Sequence, residues 1–269
     1  MTPLLRYRHS GVYSLSGLIA GLSIAAGLSA VASLPYAYAL HFIPFAFINC
    51  FVVFAFGLGV GFATAFGLKR GNVRNLQVVT VAAALIGVLA DYFGWVVWLF
   101  AASGQVFIAP NRILTALSAL AQTGVWSIGR ATPTGSFLYL IWLSELLAIC
   151  ALAAFAARNH FQEQAFCESC QRWLPESTKI GPLEPLTSPN PTPEALKALS
   201  PMPPDSPIAT HLELRSCPTC TSLNLVTAKS VFTSTDGNGK RSSREATVFE
   251  DLLVDTALLY ALRQKPGVV

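Results

Sequence analysis

The chain has 269 residues, of which 53% are hydrophobic and only 12% are charged. Soluble domains carry about 25% charged residues, so this composition excludes an ordinary soluble protein. The formal net charge is +4, and residues 158–269 hold 11 basic and 12 acidic side chains. Because that balance leaves no basic stripe in the polar part of the chain, we expect no nucleic-acid partner.

Four apolar stretches in residues 1–157 are long enough to cross a lipid bilayer, which takes about 20 residues per helix. No Asp, Glu, Lys or Arg occurs between residues 11 and 68. The first stretch exceeds the roughly 7–15 residues of a signal-peptide core, which favours a retained helix over a cleaved leader. The sequence therefore predicts an all-α bundle of four transmembrane helices, over residues 12–34, 43–68, 76–100 and 137–157.

Lysine and arginine flank these spans unevenly, and such asymmetry predicts the orientation of a membrane protein. On the side of both termini lie Arg6, Arg8, Lys69, Arg70, Arg74 and Arg158. On the opposite side lie Arg112 and Arg130. Since cytoplasmic loops are the positive ones, both termini are expected in the cytoplasm, where thiols stay reduced and available to metals.

Small residues recur at helical spacing in the first two spans, including Gly17, Gly21, Gly57, Gly61 and Gly67. This spacing allows close helix contact, either inside one bundle or between copies in a homo-oligomer. The link 101–135 predicts a further helix that starts at Pro110, is too short to span, and lies in the outer interface or caps the bundle.

Asp91 and Glu145 are the only acidic residues in residues 1–157, and charged groups are costly inside a bilayer. Counting about 1.5 Å per residue from the outer helix ends places them at similar depth, with Asn49 slightly shallower. Ionised carboxylates at one level would repel each other, which suggests a proton or cation site that opens outward. The alternative is a neutral polar clasp with hydrogen bonds to Ser29, Ser33 or Tyr92.

The polar part of the chain contains two Cys-x-x-Cys pairs: Cys167 with Cys170, and Cys217 with Cys220. This spacing sets two sulfurs on one edge of a tetrahedron, and two such turns close a four-cysteine zinc site. The pairs are 46 residues apart, against about 15–20 in the common pattern, and the proline-rich insert 174–210 accounts for the excess. One structural Zn²⁺ is expected; a redox dithiol pair is the alternative.

Residues 158–269 are predicted to form a small β-rich, zinc-ribbon-like cytosolic domain. Strands are expected at 211–215, 223–233 and 244–250, with a turn at 236–239. The insert is expected to be extended or disordered except for a short helix at 193–199, and a helix at 251–263 is expected to close the domain.

As a whole, the chain resembles bacterial multi-pass membrane proteins that join a small helical bundle to a C-terminal cytosolic zinc ribbon. Residues 36–49, 57–75 and 94–98 and the two cysteine pairs carry the resemblance. The resemblance implies a location in the bacterial inner membrane and no established activity. We expect a non-enzymatic protein that presents the zinc ribbon to a protein partner; the alternative is a small oligomeric transporter or channel that uses Asp91 and Glu145.

Overall fold

The computed structural model describes residues 4–43, 45–127, 132–175, 177–220, 222–235 and 241–265. The chain divides into two compact units. The first, the polar unit, consists of residues 1–9 and 164–269. The second, the membrane unit, consists of residues 10–163. The polar unit thus begins six residues later than the expected boundary at 157/158 and also includes the N-terminal segment, because the last long helix continues to Gln162 without a break.

Within the described residues of the second unit, four helices are long and apolar enough to cross a membrane. They are α1 (Leu15–Phe42), α2 (Ala46–Arg70), α3 (Leu76–Ser103) and α5 (Gly135–Gln162). Their outward faces carry large apolar side chains such as Phe47, which is 86% exposed. Such faces suit lipid rather than water, so the predicted all-α membrane bundle is confirmed.

The first helix continues eight residues beyond its expected end at residue 34. Pro35 lies inside α1, although proline often ends a helix. Prolines are tolerated in membrane helices because neighbouring groups satisfy the backbone that they free. As a result Tyr36 lies on a helix and is buried, not in an outer turn.

Glycines set the closest helix contacts inside the bundle. Each of α1 and α5 packs against both α2 and α3. A Cβ added at Gly67 of α2 would lie 2.4 Å from the backbone oxygen of Gly21 of α1. A Cβ at Gly61 would lie 2.5 Å from the backbone oxygen of Ala153 of α5. These glycines are therefore used in contacts within one chain.

The helix expected at Pro110 is present as α4 (Pro110–Thr123). Ile113 and Ala121 are its buried residues, whereas Leu114 is 66% exposed. Arg112 is exposed on this helix. The other outer basic residue, Arg130, lies outside the described residues.

The first unit contains a short hairpin of β1 (Phe166–Cys167) and β2 (Arg172–Trp173), and a four-stranded antiparallel sheet in the order β3-β4-β5-β6. The strands of the sheet are β3 (Thr178–Leu183), β4 (Ile208–Ser216), β5 (Asn224–Thr235) and β6 (Arg241–Leu253). The closing helix α7 (Thr256–Arg263) starts later than expected because β6 runs to Leu253. The predicted turn at 236–239 lies outside the described residues.

The proline-rich insert is more ordered than the sequence indicated. It supplies the edge strand β3, which pairs with β4 with Ile180 opposite Leu212, and the helix α6 (Pro193–Ala198). Leu196 on α6 is completely buried in the core on one face of the sheet. The insert thus contains extended chain and the short helix, as expected, but its described residues are not disordered, because its leucines bury enough apolar surface to order it.

The N-terminal segment pairs with the end of β6. The backbone N–H of Leu253 donates to the carbonyl of Leu5 over 2.7 Å, and that of Tyr7 donates to the carbonyl of Asp251 over 2.8 Å. The phenol of Tyr7 also accepts a hydrogen bond from the backbone N–H of Phe166 over 2.9 Å. Residues from both ends of the chain thus build one unit.

Candidate functional site

Each cysteine pair lies in a tight turn between two strands. Cys167 ends β1 (Phe166–Cys167), and the chain returns through β2 (Arg172–Trp173), so that Cys167 faces Arg172. Cys217 directly follows β4, and its N–H donates to the carbonyl of Leu223 over 3.0 Å just before β5. Strand pairing in both turns therefore fixes the positions of the sulfurs.

The structure brings all four predicted metal ligands together. The Sγ atoms of Cys167, Cys170, Cys217 and Cys220 all lie within 4.8 Å of one another, and the Cys167 and Cys220 sulfurs are 3.5 Å apart. Cys167 and Cys217 are buried, whereas Cys170 and Cys220 are partly exposed. None of these four cysteines forms a disulfide bond. Sulfur ligands arranged this closely can hold one tetrahedral metal ion.

A link between the two turns supports this arrangement. The guanidinium of Arg172 in the first turn donates to the hydroxyl of Thr219 in the second over 2.9 Å. Both buried cysteines also belong to a small apolar core with Leu174 and Leu225. The turns are thus held together by protein contacts as well as by any ion they bind.

Backbone donors in the turns lower the pKa of the first cysteine of each pair, but they outweigh burial only at Cys217. Burial raises the pKa of Cys167, and the N–H of Cys170 acts against this rise. Burial also raises the pKa of Cys217, but N–H donors from Cys220 and Thr219 reverse this, so the pKa lies below its usual value. The Ser222 hydroxyl, which is 2.9 Å from the Cys220 sulfur, lowers the pKa of Cys220 to about 6.

The membrane unit contains a second candidate site, a partly open cavity of about 360 Å³. The three residues singled out in the spans, Asn49, Asp91 and Glu145, all line it. Among the described residues that line the cavity, none is Lys or Arg. The three side chains that the sequence placed at similar depth therefore share one cavity.

Two neutral side chains donate to the carboxylates. The Tyr36 hydroxyl donates to Glu145 Oε1 over 2.7 Å. The Trp95 side chain donates to Asp91. Asn49 donates to the carbonyl of Ile43 over 3.3 Å, and its Oδ1 is buried without a hydrogen-bond partner among the described residues. Each carboxylate thus has one neutral donor, and the Asn49 Oδ1 adds a further acceptor to the cavity.

Sequence reasoning missed the partner of Glu145. Two of the proposed clasp residues bond elsewhere: the Ser33 hydroxyl donates to the carbonyls of Ser29 and Ala90, and the Tyr92 hydroxyl donates to the carbonyl of Ile108. The third, Ser29, has a buried hydroxyl without a hydrogen-bond partner among the described residues. Tyr36 was overlooked because Pro35 suggested a helix end. Its position one turn from Ser33 on the same helix is the signal that could have identified it.

Aromatic side chains form much of the cavity wall. Four of the chain's five tryptophans line it: Trp95, Trp98, Trp126 and Trp142. The rings of Trp95 and Trp142 are nearly perpendicular, at 78°, with centroids 5.1 Å apart. Trp126 comes from the segment after α4 and had no sequence signal that placed it here.

Comparisons with protein-family models, with curated proteins and with solved structures found no match. Among the described residues, the cysteine cluster is the only group of three or more His, Cys, Asp or Glu side chains close enough to hold a metal ion. The cysteine cluster and the cavity are thus the two features of the described residues that bear on function.

Proposed function

We propose that the protein is a non-enzymatic membrane protein that holds a structural zinc ribbon at the cytoplasmic surface, where the ribbon binds a protein partner. The observation that carries this proposal is the approach of four cysteine sulfurs to within 4.8 Å of one another. A zinc ion with four thiolate ligands keeps no open position for a catalytic water. The ion would therefore stabilise a surface rather than perform a reaction.

The chemistry of the donor set supports zinc. Tetrahedral four-sulfur sites in proteins hold zinc or iron–sulfur centres. With Zn–S distances of about 2.3 Å, the edges of the tetrahedron are about 3.8 Å long. The 3.5 Å separation of the Cys167 and Cys220 sulfurs lies close to that edge. Zinc would supply the charge that stabilises four thiolates in this small core.

Two features support one side of the membrane for both termini, and the first of them also supports the cytoplasmic side. The basic residues that flank the long helices concentrate at the helix ends on the side of the two chain termini. In addition, residues 4–9, which precede α1, pair with β6, which follows α5. A unit built from both flanks of the helices requires an even number of membrane crossings, and four satisfies this requirement.

The metal part of the proposal is tested by elemental analysis of the purified protein. About one zinc per chain is expected for the natural chain, and none for the variant in which Cys167, Cys170, Cys217 and Cys220 are all serine. The matched control changes the two cysteines of the membrane helices, Cys50 and Cys150, to serine and should keep its zinc. A natural chain without metal would contradict the proposal.

The partner is tested by a photocrosslinking amino acid at Glu168, which is exposed on the first cysteine turn. A discrete crosslinked adduct is expected in cells, and it should disappear in the four-serine variant. The control position is Glu194, exposed on α6. Adducts that survive loss of the cysteines would argue against a role for the metal-bound surface.

The cavity favours a second candidate function, transport of a proton or cation by a small oligomer. Its support is the presence of Asp91 and Glu145 in one cavity without a lining Lys or Arg among the described residues. In proteoliposomes, Asp91→Asn and Glu145→Gln should abolish transport. Glu163→Gln, outside the cavity lining, should not. Unchanged transport in the two cavity variants would exclude this function.

A further inference from the structure

The cavity in the membrane unit combines negative charge with aromatic walls. Asp91 and Glu145 both line it, and Asp91 lies close enough to Glu145 for an electrostatic interaction. Tyr36 and Trp95 each donate one hydrogen bond to this pair, but neither carries a positive charge. A carboxylate that leaves water without a positive partner pays a desolvation cost that a cationic ligand would offset.

The walls indicate what kind of cation fits. A metal ion such as Ca²⁺ binds about six to eight oxygen ligands. The Tyr36 and Ser144 hydroxyls of the lining already donate hydrogen bonds within the protein. The other side-chain oxygens of the lining number only five, on Asn49, Asp91 and Glu145. Most of the remaining wall is aliphatic or aromatic. The faces of Trp and Tyr rings attract organic cations, most strongly where water is excluded.

The size of the cavity agrees with this chemistry. Its volume of about 360 Å³ falls within the range of about 300–1,000 Å³ that is typical of small-molecule sites. The perpendicular rings of Trp95 and Trp142 present differently oriented aromatic surfaces to one space. The buried Asn49 Oδ1 adds a further acceptor. Charge and shape both favour a positively charged guest with apolar substituents.

We propose that this cavity binds a monovalent organic cation with apolar or aromatic substituents, such as a quaternary ammonium or phosphonium compound. The carboxylates of Asp91 and Glu145 supply the charge, and the tryptophans enclose the substituents. The proposal rests on the second candidate function for its site, but it requires binding only. It does not depend on the metal site in the polar unit.

The test is equilibrium dialysis of the full chain in dodecyl maltoside with tetraphenylphosphonium as the probe. Saturable binding of about one cation per cavity is expected. Tetraphenylborate has the same shape and the opposite charge, and should not bind saturably. The double variant Asp91→Asn with Glu145→Gln should weaken cation binding by about 30-fold or more, because the bound cation loses both of its negatively charged partners in a site that excludes water. Glu163→Gln should stay within about twofold.

Removal of one aromatic wall gives an independent check. Trp142→Leu, which removes a cavity wall and no hydrogen bond to a carboxylate, should weaken binding by about fivefold, which is typical of a lost cation–π contact. Trp173→Leu removes the tryptophan outside the cavity lining and should leave the affinity unchanged. Monodisperse elution and unchanged thermal unfolding identify variants that stay folded. The proposal is overturned if the phosphonium and the borate bind equally well, or if the folded double variant retains its affinity.

Two further arms separate this proposal from transport and identify the source of the cation. Binding without transport in proteoliposomes supports the proposal and removes the second candidate function. Competition by phosphatidylcholine, added to the micelles, would assign the natural cation to a lipid headgroup. Lack of competition would assign it to a free solute. Both results require a cation-binding cavity.

Discussion

Tyr36 of α1 donates a hydrogen bond over 2.7 Å to Glu145 of α5, 109 residues further along the chain. The tyrosine ring also stacks on Phe56 of α2, with centroids 4.0 Å apart. A Cβ placed at Gly94 of α3 would lie 3.0 Å from the ring. One side chain of α1 therefore touches the three other long helices and fixes a cavity carboxylate.

Loss of the Tyr36 hydroxyl should destabilise the bundle. Tyr36→Phe keeps the ring and its stacking but leaves Glu145 without this donor, which is expected to cost about 1.5–3 kcal/mol of unfolding free energy. The measurement is chemical unfolding of the detergent-solubilised protein. Tyr139→Phe, at a 45% exposed tyrosine of α5, is the control and should change little. Equal effects of both changes would contradict the assigned role.

The glycine contact between α1 and α2 should be intolerant of a methyl group. In Gly67→Ala the new Cβ would meet the backbone oxygen of Gly21, so the helices must separate, and we expect a loss of about 1–3 kcal/mol. The control on the same helix is Gly59→Ala, where nothing lies within 4 Å. Because alanine is the better helix former, that variant should be neutral or slightly more stable in the same unfolding assay.

The sequence predicted features that depend on local pattern. Apolar length located the four long helices, and the Cys-x-x-Cys spacing located the sulfur cluster. Features that depend on packing were missed. Proline counted against helix at Pro35 and against a strand in the insert, whereas tertiary contacts stabilise both Tyr36 on α1 and the edge strand β3, in which Ile180 lies opposite Leu212.

Pairing between distant parts of the chain was also invisible. Nothing in the local sequence around Tyr7 indicated a contact with Phe166. The hydrogen bond from the Phe166 N–H to the Tyr7 hydroxyl joins residues that are far apart in sequence, so it depends on the folded chain path. The same holds for Trp126, which reaches the cavity from the segment after α4. By contrast, Asp91 and Glu145 were found because acidic residues are rare and costly in apolar helices.

The Tyr7 hydroxyl should stabilise the unit that carries the cysteines. It accepts from the Phe166 N–H over 2.9 Å, next to Cys167. Tyr7→Phe leaves that N–H without this partner, and we expect a loss of about 1–3 kcal/mol together with faster transfer of metal to a chelator. Tyr260→Phe, at a 65% exposed tyrosine of α7, is the control. Identical chelation rates for the two variants would contradict the contribution of Tyr7.

The metal-free cysteines should differ in protonation near neutral pH. The side-chain hydrogen bond with Cys220 raises the pKa of Cys170 to about 12, and burial raises that of Cys167. The pKa of Cys220 lies at about 6, chiefly because the Ser222 hydroxyl donates to it. At pH 7 the Cys167 and Cys170 thiols are therefore protonated and Cys220 is a thiolate. Zinc binds thiolates, so it must displace at least the protons of Cys167 and Cys170.

Zinc affinity should therefore rise with pH. Since the metal-free site holds the extra protons, acid favours that form, and each displaced proton changes the binding constant by a factor of ten per pH unit. Two protons predict an affinity about 100-fold lower at pH 6.5 than at pH 7.5. Competition with a chelator of known pH dependence measures this, and calorimetry in buffers of different ionisation enthalpy counts the protons. Ser222→Ala should raise the number of protons released at pH 7, because the Cys220 thiolate loses its donor. An affinity independent of pH would show that all four thiols are already ionised, contrary to this assignment.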